Sequence, residues 1–211
     1  MRLPWHWKIE QQITTIDGAT FPMYFTNMRS LLAEMVRKSE MIIFNRCDGI
    51  EELNVYKRNI KAVNPNADVI FEDANGEIDT IFEEDLPFDL NAPVIELDNT
   101  GYGIWYLDSL DHLERYIGKT IKFKAMVLIP EGFQKNYFVP GRMAMTCCAD
   151  DIQFIGPYVV AKGVELPDYT WVRIKSKINY EEDRDGRKVI ILTCEELTKI
   201  NPIKDPVLNL V

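Results

Sequence analysis

Residues 41–45, Met-Ile-Ile-Phe-Asn, are a continuous apolar run closed by a polar residue. A strand covered on both faces has this composition, and such strands belong to parallel sheets layered with helices. The flanks agree. Upstream, FTNMRSLLAEMVRKS places Met28, Leu31, Leu32, Met35 and Val36 at the spacing of one helix face. Downstream, Leu53, Tyr56, Ile60 and Val63 repeat that spacing, and Asn64-Pro65 ends it. IEQQITTID (9–17) and ADVIFED (67–73) supply a strand on either side. The order strand, helix, strand, helix, strand predicts a partial parallel α/β layer over residues 1–85.

The character then changes. Residues 86–100 are acidic and proline-bearing with no sustained period, and are expected as a linker. From 101 to 211 the pattern is mostly β. KTIKFKAMVL alternates Ile121, Phe123, Ala125 and Val127 against Lys122 and Lys124. WVRIKSKINY alternates Val172, Ile174, Ile178 and Tyr180 against Arg173, Lys175 and Lys177, and RKVIILT follows after a turn holding Asp185-Gly186. NYFVPGRMAMTCC and FIGPYVVAKG add strands, and SLDHLERYIG is expected as a short helix ending at Gly118. The expected class is α+β overall: a partial α/β layer, then a small barrel of oligonucleotide-binding (OB) type.

Charge and cysteine usage narrow the function. The formal net charge is −9, which offers little of the phosphate neutralisation that nucleic-acid binding needs. A row of outward Lys and Arg at 122, 124, 173, 175 and 177 is the one point in favour; such rows are usually solvated faces. Nucleic acid is therefore not expected as a partner. No run of 18 apolar residues exists, so no membrane insertion is expected. Four cysteines, two of them adjacent, make no secreted framework, and a cytoplasmic location with reduced thiols is expected.

Two stretches carry candidate chemistry. The first is Asn45-Arg46-Cys47-Asp48, directly after the apolar run. An Asn-Lys-x-Asp tetrad after a strand is the guanine-reading element of GTPases: the Asp carboxylate accepts from two adjacent donors on the base. Arg46 stands where that tetrad has Lys, and a guanidinium is not equivalent to an ammonium. The bland alternative is a helix N-cap. The second stretch is RMAMTCCADD, where Cys147, Cys148 and Asp151 offer thiolates and a carboxylate suited to a borderline metal such as Zn²⁺. Adjacent strand residues face opposite ways, so both thiols reach one ion only at a strand end or bulge. One buried thiol and a turn capped by aspartates is the bland alternative.

The stretch ITTIDGATFPMYFTNMRSLLAEMVRKSEMIIFNRCD, continued by VYKRNIKAVNPNADVIFED, resembles the second half of CobW-type GTPases, a metallochaperone family. The likeness covers residues 9–73. It implies a P-loop GTPase-like layer in which Asn45, Arg46 and Asp48 bind the base of GTP. No glycine-rich phosphate loop lies among the 44 residues before the tetrad. Gly118-Lys119-Thr120 is a false match, with Leu113 where the loop needs glycine and a strand where it needs a helix. GTP is therefore expected to be held only with a missing N-terminal half, and the chain alone is expected not to hydrolyse it. That half, or a second chain, would cover the open sheet, with Trp5 and Trp7 as a partial substitute.

Gly118-Lys119, Arg142, Thr146-Cys147-Cys148-Ala149, Asp151 and Trp171-Val172 resemble the C-terminal domain of the YcgQ-like family, which accompanies YraQ-type permeases. This likeness covers residues 104–205 and implies a shared fold, with a permease or metal-handling partner. Together the two resemblances imply a role in metal homeostasis. The alternative is a non-enzymatic ligand- or partner-binding module with the α/β part as scaffold. His6 and His112 have no nucleophile in a recognisable motif and are expected as ordinary histidines. Gly101-Tyr-Gly-Ile-Trp-Tyr106 is expected to anchor the linker to a core rather than to stack on a ligand.

Overall fold

The computed structural model describes residues 5–78, 86–132, 137–146, 149–161, 166–182, 186 and 188–210. The chain has mixed α+β architecture and divides into two compact units, one built on Met1–Glu84, the other on Asp85–Met145 and Ala149–Leu210.

The first unit realises the expected βαβαβ order. Strands β1 (Ile13–Asp17), β2 (Met41–Asn45) and β3 (Asp68–Asp73) are parallel, with β2 central. A turn at Ala74-Asn75 returns the chain as β4 (Gly76–Glu77), antiparallel to β3. The crossover from β1 to β2 holds two helices rather than one: α1 (Phe21–Asn27) and α2 (Arg29–Val36). The break falls at Met28, whose φ of −134° and ψ of 37° leave the helical region. Pro22 suits the first turn of α1, where a missing N–H costs nothing.

The break explains why the apolar stripe is not one face. Leu32 and Val36 are buried, whereas Met28, Leu31 and Met35 are about half exposed. Helix α3 (Leu53–Val63) buries Leu53, Tyr56 and Ile60 against Ile42, Phe44 and Phe71. Phe44 is fully buried and lies 5.0 Å from both Phe21, edge-on, and Phe71, stacked. Asn64 closes the layer: its side-chain amide donates to the carbonyls of Val36 and Ser39, each at 2.8 Å.

The second unit is a closed five-stranded barrel. Strand β6 (Thr120–Leu128) pairs antiparallel with β7 (Tyr137–Met145) and with β10 (Trp171–Glu182). Strand β10 continues to β11 (Lys188–Lys199), which runs parallel to β9 (Tyr158–Val160). Strand β9 pairs back onto β7 and closes the ring, an OB-like arrangement. The alternation supplied the inside: Ile121, Phe123, Ala125, Val127, Val172, Ile174 and Ile178 are all buried. A bulge between Lys175 and Ser176 shifts the β10–β11 register.

Strand β8 (Ile152–Ile155) and β9 both run antiparallel to β7, with Gly156-Pro157 as the bend between them. Here two backbones nearly touch. A Cβ on Gly141 would lie 2.2 Å from the Ile155 carbonyl, and one on Gly156 would lie 2.7 Å from Gly141 Cα. Strand β12 (Val207–Asn209) joins the other side of β7, parallel to Met143–Met145.

Two expectations need correcting. Residues 86–100 hold more than a linker: β5 (Ile95–Glu96) pairs with β6, and Asp98 caps a helix by accepting from the Gly101 amide at 2.7 Å. That helix, α4, spans Asn99–Asp111, so the aromatic stretch is helical and SLDHLERYIG is mostly not. Only its first residues end α4, and a 3₁₀ turn at Leu113–Arg115 follows. Tyr102 and Trp105 of α4 pack their rings on Phe123, 5.1 and 6.0 Å away, which anchors the stretch as expected.

Candidate functional site

The carboxyl ends of β1, β2 and β3 bring together Asp17, Asn45, Arg46, Cys47, Asp48 and Asp73 in the first unit. Open parallel sheets gather ligands at this edge. Arg46 follows β2 with a φ of 54°, left-handed backbone that a non-glycine residue rarely adopts. The turn it makes carries the Cys47 amide across to the Glu72 carbonyl of β3, at 3.0 Å. Its guanidinium reaches the other way and pairs with Asp17 Oδ2 at 2.5 Å. Asp17 also caps its own turn through Oδ1, which accepts from the Ala19 amide at 3.0 Å.

Asp48 is exposed. Its Oδ1 accepts from the Ala74 amide at 3.1 Å, and no hydrogen bond to Oδ2 is found among the described residues. Each carboxylate oxygen carries two lone pairs, so this one bond leaves capacity for two further donors. The Asn45 backbone carbonyl accepts from Gly18 at 2.8 Å, but its side-chain Oδ1 is buried without a partner among the described residues. A buried amide oxygen left unpaired costs about 1–3 kcal/mol.

Cys47 is not available for chemistry at this edge. Its thiol is buried beneath Gly18, where a Cβ would lie 2.8 Å from the sulfur. Burial pushes the thiol pKa up, with the nearby Asp48, Asp17 and Asp73 adding to the rise, so it stays protonated near neutrality.

The thiol-bearing stretch is only partly among the described residues. Cys147 and Cys148 lie outside the described residues, as does Asp185 of the expected turn. Asp151 sits in a short 3₁₀ turn, Ala149–Asp151, and accepts from Gln153 Nε2 at 3.3 Å. Among the described residues no three His, Cys, Asp or Glu side chains come together to hold an ion. Cys194 is half-buried beside the bulge, away in sequence from that turn.

The remaining candidates have structural places. Thr120 opens β6, and Lys119 Nζ donates to the Leu90 carbonyl at 2.8 Å. His112 ends α4 and lies 3.7 Å from Glu114. The basic row does share one outward face, since Lys124 opposes Arg173 and Lys122 opposes Lys175. Carboxylates are interleaved with it: Lys122 donates to Glu96 at 2.7 Å and Lys175 to Glu196 at 2.9 Å. The Lys122 hydrogen bond holds the Glu96 carboxyl below its usual range. Cross-strand pairing of this kind is the habit of a solvated face.

Two arrangements carried no signal in the sequence, where Arg142 enters only through the YcgQ-like resemblance and without a role. Arg142 is 1% exposed and donates to Asn99 Oδ1 at 2.9 Å and to the carbonyls of Asp205 at 2.8 Å and Pro206 at 3.4 Å. Its guanidinium also lies over the Trp171 ring, 5.4 Å from the centroid. A cavity of about 240 Å³ is lined by Tyr106, Ser109, Tyr158 and Lys188 among others. Each set comes from three or more separate stretches, and only the closed barrel assembles it.

A small OB-like barrel with a helix on its flank is a class of fold rather than a function. Comparison with known families is more specific. The model of the DUF1980 C-terminal domain matches residues 75–208, and the chain belongs to that family, a domain found in CobW- and YcgQ-type proteins. No curated protein matches the chain by sequence. Among solved structures, the mitochondrial single-stranded DNA-binding protein Rim1 of S. cerevisiae is similar at 8% identity and a TM-score of 0.24. The match covers 39% of this chain and 95% of that one. A likeness of that grade carries no argument about binding. Among the described residues no helix is long and apolar enough to cross a membrane.

Proposed function

We propose that the chain is the rear part of a CobW-like GTP-binding protein, with its DUF1980-type barrel appended to bind a metal ion or a partner. In the first unit Asp48 accepts the two adjacent donors of a guanine, Asn45 steadies the base and its loop, and Arg46 lies along the ring. The observation that carries this reading is the meeting, at the carboxyl edge of a parallel sheet, of a carboxylate with spare acceptor capacity and a buried Asn45 Oδ1 that has no partner among the described residues. The residues fit the base and not the phosphates: no glycine-rich cradle occurs among the described residues before β2. Affinity is therefore weak, and hydrolysis requires groups that this chain does not supply.

The test is a nuclear magnetic resonance titration of the chain with GDP and, in parallel, ADP. GDP is expected to shift the amides of 45–48 and 73–75, with ADP weaker. Asp48→Ala should weaken the GDP response about tenfold, the cost of a charged hydrogen-bonding pair. Equal responses to both nucleotides, or none, favour the second reading, a scaffold with no nucleotide role. That reading draws on the Arg46–Asp17 ion pair and the Asp48–Ala74 bond, which occupy both charged groups within the fold.

For the barrel we assign Cys147, Cys148 and Asp151 as ligands of a thiophilic divalent ion, Zn²⁺ in the first instance. The support is the donor chemistry: two thiolates and a carboxylate match a borderline cation. Purified chain dialysed against Zn²⁺ is expected to retain about one ion, at the affinity of a thiolate site. Cys147→Ser with Cys148→Ser should abolish retention, and unchanged uptake would remove the assignment.

A further inference from the structure

The edge strand β1 invites a partner, and we infer that the partner is a second copy of this chain, with β1 pairing antiparallel to β1 across a two-fold axis. Among the described residues β1 hydrogen-bonds to another strand only on its β2 side. An open edge of this kind is a template for strand addition unless charge, proline or a cover protects it. Among the described residues no strand covers that edge, residues 13–16 are Ile-Thr-Thr-Ile without charge or proline, and Asp17 at its end is already paired with Arg46.

Beside the edge lies a groove of about 470 Å³, floored by Thr15 and Ile16 and walled by Tyr24, Met28, Leu31 and Met35. These walls are the half of the helix stripe that does not enter the core. Ile13, Tyr24, Met28, Leu31 and Met35 are each between 44% and 57% exposed, at 49%, 45%, 51%, 56% and 48%. A strand alone would satisfy the β1 backbone and leave those side chains wet. A second copy satisfies both. A two-fold axis perpendicular to the sheet keeps the helices of both copies on one face, so each α2 meets its mate above the β1 seam.

Area and charge both point to self-association. At roughly 200 Å² for a fully exposed large side chain, the five residues offer about 500 Å² per copy. Trp7 and Ile9, 65% and 62% exposed just before β1, raise this to about 750 Å² per copy. The pair then covers about 1,500 Å², within the range of a stable interface. Copies carrying −9 each repel over most of their surface, and this strip is one place where they approach without opposing like charges. The two-fold arrangement is self-complementary and closes, whereas head-to-tail strand addition would continue without limit. The inference needs no base to be bound, but a second copy and the front half proposed above would compete for the same β1 edge, so the dimer is tested on this chain by itself.

Sedimentation equilibrium of the full chain tests it. A dimer is expected, and Leu31→Glu and Met35→Lys, both at exposed positions, should each weaken it about tenfold or more with unchanged far-ultraviolet circular dichroism. As a measure that does not depend on weakening the fold, Thr15→Cys should be cross-linked into dimers by a short bis-maleimide, with the unsubstituted chain as control. A chain monomeric at every concentration overturns the inference. So does a dimer that survives both charge substitutions, or one that Thr15→Cys does not cross-link.

Discussion

Phe44→Ala is expected to lose the first unit's cooperative fold, with a cost of about 3–5 kcal/mol. The ring is fully buried near the carboxyl end of β2, between β1 and β3. It touches Phe21 of α1, Tyr56 of α3 and Phe71 of β3, at centroid distances of 5.0, 5.7 and 5.0 Å. Removing it opens a void facing three elements at once, and none of them can collapse inward without leaving the others. A small domain has 5–15 kcal/mol in all, so the loss is a large share. Hydrogen exchange read by mass spectrometry is the measurement. Amides of β1, β2 and β3 should lose protection, while β6 and β10, which have a core of their own, keep theirs. Equal loss in both sets would show that the two cores are one cooperative system.

Gly141→Ala is expected to disable the barrel. The added methyl would sit 2.2 Å from the Ile155 carbonyl oxygen and 2.6 Å from the Phe154 ring. A side chain can swing aside, but the Ile155 carbonyl is backbone held in the β7–β8 ladder, where Arg142 opposes Ile155. Gly156 stands against the same spot, so neither strand can retreat. The cost is roughly 3 kcal/mol or more. Gly103→Ala provides the scale. Its methyl would meet only the tip of the Leu210 side chain at 3.0 Å, and a flexible side chain yields. Urea unfolding followed by near-ultraviolet circular dichroism should rank the two, with Gly141→Ala far below Gly103→Ala. Parity between them would mean that the crossing has slack.

What the sequence disclosed follows from which forces act locally. The run at 41–45 and the alternations at 120–128 and 171–180 are backbone-period signals, and the strands lie where those signals fall. Helix α4 was missed for the converse reason. It is buried on several sides, so apolar residues occur around its whole circumference and no stripe marks it. The break at Met28 was missed because the apolar spacing runs through it unbroken; only the division between core and groove residues reveals two helices. Strands β8 and β12 are four and three residues long, too short to show a period, and the partner of β12 lies more than sixty positions away. At the candidate site, the order Asn45-Arg46-Cys47-Asp48 was visible, and so was the strand that ends at Asp17. The left-handed turn at Arg46 and its ion pair with Asp17 were not, because they depend on how β1 and β2 end side by side.

Arg142 has a consequence for how the chain is made. Three of its donors are met by Asn99 and by the carbonyls of residues 205 and 206, more than sixty positions later. During synthesis on a ribosome that guanidinium has only Asn99 of the three to settle on until residues 205 and 206 have cleared the exit tunnel. Every strand of the ring is translated before those two carbonyls, so a nascent barrel can pair its strands first and hold a cation still seeking its place.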